Sequence, residues 1–188
     1  MGTDHKHRIC TFEEADKAIR AHDVLYVNDC FCRTPAKLGK SAWKYCGHRT
    51  DLCMGFAKPE KVDPGFPVTE ISQAEALKRF DEWKKAGNFF RFMVDDRWIC
   101  YCCACGCGWL RDEKGNPAVD TCDKSGFIEK TDAAACNLCE KCVPVCAYKA
   151  RKVAGDKMVV DSSKCYGCSA CDYACEQKAI SMVPRPKA

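Results

Sequence analysis

Two cysteine runs, Cys136-x2-Cys139-x2-Cys142-x3-Cys146 and Cys165-x2-Cys168-x2-Cys171-x3-Cys175, have the same spacing and lie 29 residues apart. Four positions repeating at one offset make chance a poor explanation. A C-x2-C-x2-C-x3-C run is the ligand spacing of a [4Fe–4S] cubane. Two of them predict a pair of cubanes and chemistry done one electron at a time. Two four-thiolate zinc sites would not require this pattern twice.

The first half carries a second set of thiols. Cys30-x-Cys32-x13-Cys46-x6-Cys53 offers four sulfurs, enough for a third [4Fe–4S] cluster, and Gly47 would let the chain turn close to the metal. The dense run Cys100-Tyr-Cys102-Cys103-Ala-Cys105-Gly-Cys107 offers five, from which four could hold a fourth cluster. Two alternatives stand beside these. One cluster could be shared between Cys30/Cys32 and the dense run, or a zinc site could form with His48 as a ligand. Otherwise His48 reads as a surface histidine or one behind the ligands. Cys10 and Cys122 are single thiols and read as structural.

Composition narrows the classes. Nineteen cysteines in 188 residues suggest a disulfide scaffold at first. The odd count and the C-x2-C and C-x-C spacings argue against it, because near neighbours seldom bridge without strain. The opening Met1-Gly-Thr-Asp-His-Lys-His-Arg8 leads into no apolar h-region. A reducing, anaerobic cytoplasm is therefore the expected compartment. The formal charge of +4 counts every thiol as neutral. Three oxidised cubanes would bring the total to about −2, and four to about −4. With the basic residues also dispersed, nucleic acid is not an expected partner. No stretch approaches the roughly 20 apolar residues that span a bilayer, so membrane association would run through a partner. Leu38-Gly39-Lys40-Ser41 mimics the end of a phosphate-binding loop, but Thr34 stands where its first glycine belongs. No C-x-x-C-H motif and no Gly-rich nucleotide fingerprint occur, so neither haem, flavin nor nucleotide is expected on this chain.

The elements that must carry these thiols are short. Thr11-Phe-Glu-Glu14 has capping-box form and opens a helix to about Ala21. Val24–Val27 reads as a strand delivering Cys30 and Cys32, and residues 33–56 read as loop. Ser72-Gln-Ala-Glu75 is a second capping box, for a helix over 74–86 with Ala76, Leu77, Phe80 and Trp83 on one face and Gly87 as its C-cap. Phe89–Val94 reads as a strand leading to Cys100. Helix, strand and C-x-C thus occur twice, Cys30/Cys32 and Cys100/Cys102 being 70 residues apart. Turn-rich residues 110–126 connect the halves. The expected class is α+β, with residues 1–125 a cysteine-rich, loop-rich α+β domain and residues 126–188 a second small one.

Residues Ile128 to Val183, with "CNLCEKCVPVC" at 136–146 and "CYGCSACDYAC" at 165–175, closely resemble the two-cluster bacterial ferredoxin family over its full length. In that family the fourth cysteine of each run binds the other cluster. The resemblance implies a cluster I on Cys136, Cys139, Cys142 and Cys175, and a cluster II on Cys165, Cys168, Cys171 and Cys146. It also implies a fold of two short hairpins and two short helices, with strands at Phe127–Lys130, Lys152–Val153, Met158–Val160 and Ile180–Val183. Where the family usually has proline after the fourth cysteine, this chain has Ala147 and Glu176, and Glu176 should lower the potential of cluster I. The first half is similar to a cysteine-rich domain found ahead of dicluster ferredoxin modules in strict anaerobes, through Cys30-Phe-Cys32-Arg33 and "CYCCACGCG" at 100–108. It departs at Gly106, where that family often has another cysteine.

These features imply a low-potential electron-transfer protein, either a polyferredoxin-like carrier or the wiring subunit of a larger anaerobic oxidoreductase complex, with redox proteins as partners. One alternative is a reductase whose N-terminal iron–sulfur centre is fed by the ferredoxin half. Another is a zinc-stabilised docking module carrying a ferredoxin. No catalytic residue is assigned, since His5, His7, His22 and His48 have no evident acid–base partners. Tyr101, Trp109, Tyr148, Tyr166 and Tyr173 read as aromatic shielding around the cysteines.

Overall fold

The computed structural model describes residues 7–40, 45–108, 110 and 122–186. Within them the chain is a mixed α/β fold with mostly strands and few helices. The first half is built on one six-stranded sheet with every strand pair antiparallel. Its strands are β1 (Arg8–Cys10), β2 (Val24–Asn28), β3 (Cys53–Gly55), β4 (Val68–Ser72), β5 (Phe89–Met93) and β6 (Trp98–Cys102), in the order β1-β5-β6-β3-β2-β4.

Two helices cover one face. Helix α1 (Phe12–Arg20) begins at Thr11, whose hydroxyl accepts from Glu14 N at 3.1 Å while Glu14 accepts from Thr11 N at 2.8 Å. That is the reciprocal capping box read from the sequence. Helix α3 (Gln73–Lys85) is capped by Ser72, but the Glu75 carboxylate is drawn away to Arg79 at 2.8 Å, so the second box is half made. Phe12, Ala15 and Ile19 of α1 and Ala76, Phe80 and Trp83 of α3 are buried against the sheet. Phe90 meets Phe12 at 5.4 Å, Phe80 at 4.7 Å and Tyr101 at 4.8 Å between ring centres.

Side chains alternate across a strand, so with Ile99 and Tyr101 under the helices, Trp98, Cys100 and Cys102 point to the opposite face. Strand register lines up Asn28, Cys53, Cys100 and Arg91 as successive cross-strand neighbours there. The segment 33–56, read as loop, contains the short helix α2 (Arg33–Lys37) and strand β3. β1, β3, β4 and β6 escaped the sequence because three to five residues carry little periodicity. The suggested internal repeat does not extend to geometry. Cys100 and Cys102 lie inside β6, whereas Cys30 and Cys32 lie beyond the end of β2.

The second half has strands β7 (Phe127–Thr131), β8 (Arg151–Ala154), β9 (Lys157–Val160) and β10 (Ile180–Pro184), with the short helix α4 (Ala170–Tyr173). Only β8 and β9 form a hairpin, turning at Gly155 (φ 63°). β7 pairs with β10, the two far ends of the segment. Of the two short helices expected, one is helical among the described residues, and residues 141–145 form turns. The repeat of 29 residues survives in the backbone. Left-handed residues pair as Leu138/Gly167, Glu140/Ser169 and Lys149/Lys178. Each copy also clasps the other, Asp132 N donating to Ala179 O and Asp161 N to Ala150 O.

The halves share one core. Cys168 and Ala170 are buried with the first-half residues, Phe12 N donates to Ser169 Oγ at 2.8 Å, and Phe12 packs edge-on to Tyr173 at 5.5 Å.

Candidate metal centres

None of the 19 cysteines is disulfide-bonded. In the second half they line two separate cavities. Cys136, Cys139, Cys142 and Cys175 line one, with about 320 Å³ of atom-free space, and Cys146, Cys165, Cys168 and Cys171 line the other, with about 350 Å³. In each, the cysteine contributed by the other run receives a backbone hydrogen bond: Ala179 N to Cys175 Sγ and Ala150 N to Cys146 Sγ, both 3.3 Å. These are equivalent positions of the repeat, and such bonds favour a sulfur that carries negative charge. Gly167 has no room for a side chain, since a Cβ there would lie 2.1 Å from Phe127 O and 2.2 Å from Ser125 Oγ. Burial pushes the Cys168 thiol up to about 12. Arg151 borders both cavities and pairs with Glu129 at 2.5 Å, both buried. Glu176, expected to lower the potential of cluster I, is paired with Lys141 at 2.6 Å, which offsets its charge.

In the first half the structure groups the thiols differently from their order in the sequence. Cys30, Cys32, Cys53 and Cys100 form one group on the helix-free face of the sheet, lining a common cavity. Cys53 Sγ donates to Cys100 Sγ at 3.9 Å across β3 and β6. Hydrogen bonds from Cys100, Cys32 and Cys53 hold the Cys30 thiol far below the usual range, whereas Cys32 is pushed up beside it.

Cys46 belongs to another group, with His48, Cys103 and Cys105, whose ligand atoms all lie within 4.8 Å of one another. Cys46 Sγ is 4.0 Å from Cys103 Sγ, and His48 Nδ1 is 3.4 Å from both Cys46 Sγ and Cys105 Sγ. Thiolates bound at about 2.3 Å to one tetrahedral ion stand roughly 3.8 Å apart. A mixed set of three cysteines and one histidine at this spacing suits a single tetrahedral ion. Burial, reinforced by the charge of Arg33, holds His48 below its usual pKa and so in the neutral form that binds metal. Gly106 is the position that departs from the resembled family. A Cβ there would lie 2.6 Å from Cys46 Sγ and 3.3 Å from Cys103 Sγ. A larger residue would displace these sulfurs.

The dense run is therefore divided. Cys100 faces the Cys30 group, Cys103 and Cys105 face His48, and Cys102 contacts Cys100 and Cys107. Cys107 shares a small cavity with Cys122, Arg91, Tyr148 and Tyr166. Burial pushes Cys122 up to about 11, and it pushes Cys10 up strongly in the core beside α1. Tyr148 and Tyr166 stack at 4.3 Å and border the Cys165/Cys168 cavity as well. Trp109 and His5 lie outside the described residues, as does Ser41 of the phosphate-loop mimic.

Sequence reasoning missed the buried arginines. Arg33 and Arg91 are each 2% exposed. Burial alone would drive off their charge, yet their pKa values are raised. Sulfurs are among the groups that oppose this: Cys30, Cys100, Cys103 and Cys102 around Arg33, and Cys102, Cys100, Cys107 and Cys122 around Arg91. Arg33 also donates to Cys103 Sγ at 3.7 Å and to Tyr101 O at 3.1 Å, and lies over the Trp83 ring at 4.9 Å. Sulfurs held as thiolates by metal would lower the cost of burying these guanidiniums. The cysteine content and the Cys/His group that could hold an ion point to metal binding.

In comparisons with known proteins, no family model matches this chain, and no curated protein or solved structure does either. No helix among the described residues is long and apolar enough to cross a membrane.

Proposed function

We propose that this chain is an electron-transfer protein carrying several sulfur-bound metal centres. Two [4Fe–4S] clusters belong to residues 126–188, a ferredoxin unit seated on residues 1–125: one on Cys136, Cys139, Cys142 and Cys175, the other on Cys146, Cys165, Cys168 and Cys171. Each quartet draws three thiols from one run and one from the other, and each borders its own cavity. That observation carries the reading. A third cluster is assigned to Cys30, Cys32, Cys53 and Cys100, and a single zinc ion to Cys46, His48, Cys103 and Cys105. The clusters supply one-electron chemistry when bound. The chain's own residues fix their spacing, exclude water with Tyr148 and Tyr166, and set their charge environment through Arg33, Arg91 and Arg151.

The partners are redox proteins, in the manner of a wiring subunit of an oxidoreductase, in a reducing cytoplasm. The chain itself supplies no cofactor for two-electron chemistry. Native mass spectrometry of anaerobically purified protein tests the assignment. About 12 irons with matching sulfide and one zinc are expected, from three cubanes and one tetrahedral ion. A colourless protein without acid-labile sulfide would overturn it. About eight irons with zinc would favour the second reading, a zinc-stabilised docking module carrying a ferredoxin, which the Cys46/His48/Cys103/Cys105 geometry supports.

A further inference from the structure

The Cys30, Cys32, Cys53 and Cys100 group opens onto a cavity much larger than sulfur and metal need. The second-half quartets border interior volumes of only about 20 Å³ each. This cavity's interior volume of 430 Å³ falls within the range of small-molecule sites. The floor is the helix-free face of the sheet, and the loop between β3 and β4 forms the outer wall.

The walls define what fits. Gly55 is the cross-strand neighbour of Trp98, and a Cβ at Gly55 would lie 3.1 Å from three atoms of the indole ring. The missing side chain lets Trp98 lie flat on the sheet as an aromatic floor. Phe31 and Phe66 bring their rings within 4.1 Å of each other on the opposite side. Phe31 and Val62 remain 52% and 47% exposed at the rim, apolar surface that a ligand would cover. Asn28 is 6% exposed, lines the cavity, and its Oδ1 has no hydrogen-bond partner. A buried acceptor of this kind costs stability until a donor meets it. The lip is a turn in which Val94, Asp95 and Asp96 all have positive φ, at 54°, 54° and 64°. For a β-branched valine this is a strained conformation, of the sort kept at ligand sites.

We propose that this cavity binds a planar aromatic molecule bearing a hydroxyl or ring N–H donor, a phenol or hydroquinone type of compound. Its ring lies between Trp98 and the contacting Phe31/Phe66 pair, and its donor bonds to Asn28 Oδ1. The proposal rests on the electron-carrier reading only for the metal that faces the ligand, since the cavity is made by side chains. A protein partner would require a broader, flatter surface, and a concave apolar site with one polar anchor suits a small molecule.

The test uses the full, anaerobically prepared oxidised protein and 1-naphthol as probe, followed by fluorescence and calorimetry. Saturable binding of one equivalent is expected. Phe66→Ala at the wall and Val62→Glu at the exposed rim should each weaken it at least about tenfold while iron content and circular dichroism stay unchanged. The probe 1-methoxynaphthalene, which lacks the donor, should bind about tenfold more weakly, and Asn28→Ala should abolish that preference. Absence of saturable binding, equal binding by both variants, or no preference between the two probes would overturn the proposal. Iron and sulfide counted on the same sample separate the two readings. Full iron without probe binding removes this inference alone, and probe binding by iron-poor protein removes the electron-carrier reading alone.

Discussion

Arg33, Arg91 and Arg151 hold positive charge where water scarcely reaches, each at most 4% exposed. Their role is electrostatic before it is mechanical. Arg151 borders both second-half quartets, so Arg151→Met removes a cation next to the two proposed clusters. Both reduction potentials should shift to more negative values in protein-film voltammetry. The same change leaves Glu129 buried without its partner, a loss of about 3–5 kcal/mol. Adding Glu129→Gln should restore most of the stability and, by removing the opposing charge, bring the potentials back towards those of the parent. Gly106→Ala places a methyl group against Cys46 Sγ and should release the single ion while the iron content stays constant, read by native mass spectrometry. Burial raises the Cys10 thiol well above its usual range. The folded form therefore keeps its proton at pH values where the unfolded chain loses it. The stability tied to this thiol is present below the unfolded pKa of about 8.5 and falls as pH rises above it, by roughly 1.4 kcal/mol per unit. Urea unfolding at pH 8 and pH 10 should show a smaller alkaline loss for Cys10→Ala than for the parent.

The secondary structure does its work by setting directions. Strand β6 alternates Trp98, Cys100 and Cys102 with Ile99 and Tyr101, so one strand serves the aromatic core and the thiol face together. That division holds only while α1 and α3 cover the apolar side. Phe80→Ala, which removes a ring packed against Phe90 and Phe12, should cost about 3–5 kcal/mol. Thr11→Ala, at the complete capping box, should cost about 1 kcal/mol. Chemical denaturation of the anaerobic holoprotein checks both, with unchanged iron expected for Thr11→Ala. The turn after β5 ends that strand one residue before the periodicity suggested. Val94 takes a positive φ there and cannot continue the ladder.

Across the molecule, the Ser169 hydroxyl accepting from Phe12 N and the Phe12–Tyr173 contact tie the two halves into one core. Removing metal from one half should therefore loosen the other. Chelation of the second-half iron should lower the melting temperature of the first half in one cooperative transition. Two independent transitions, each with its own midpoint, would show that the shared core contributes little. The chain itself determined the repeat of 29 residues and the caps at Thr11 and Ser72, because those signals are local and survive in any arrangement. The second-half strands were implied by the family resemblance. Which first-half sulfurs are neighbours was decided only in three dimensions. Cys53 meets Cys100 across 47 residues, and Cys46 meets Cys103 across 57. Both meetings follow from sheet order and from where the loops return, and no short-range pattern encodes either. The buried arginines were hidden for the same reason: a guanidinium reads as surface until the fold encloses it with sulfur.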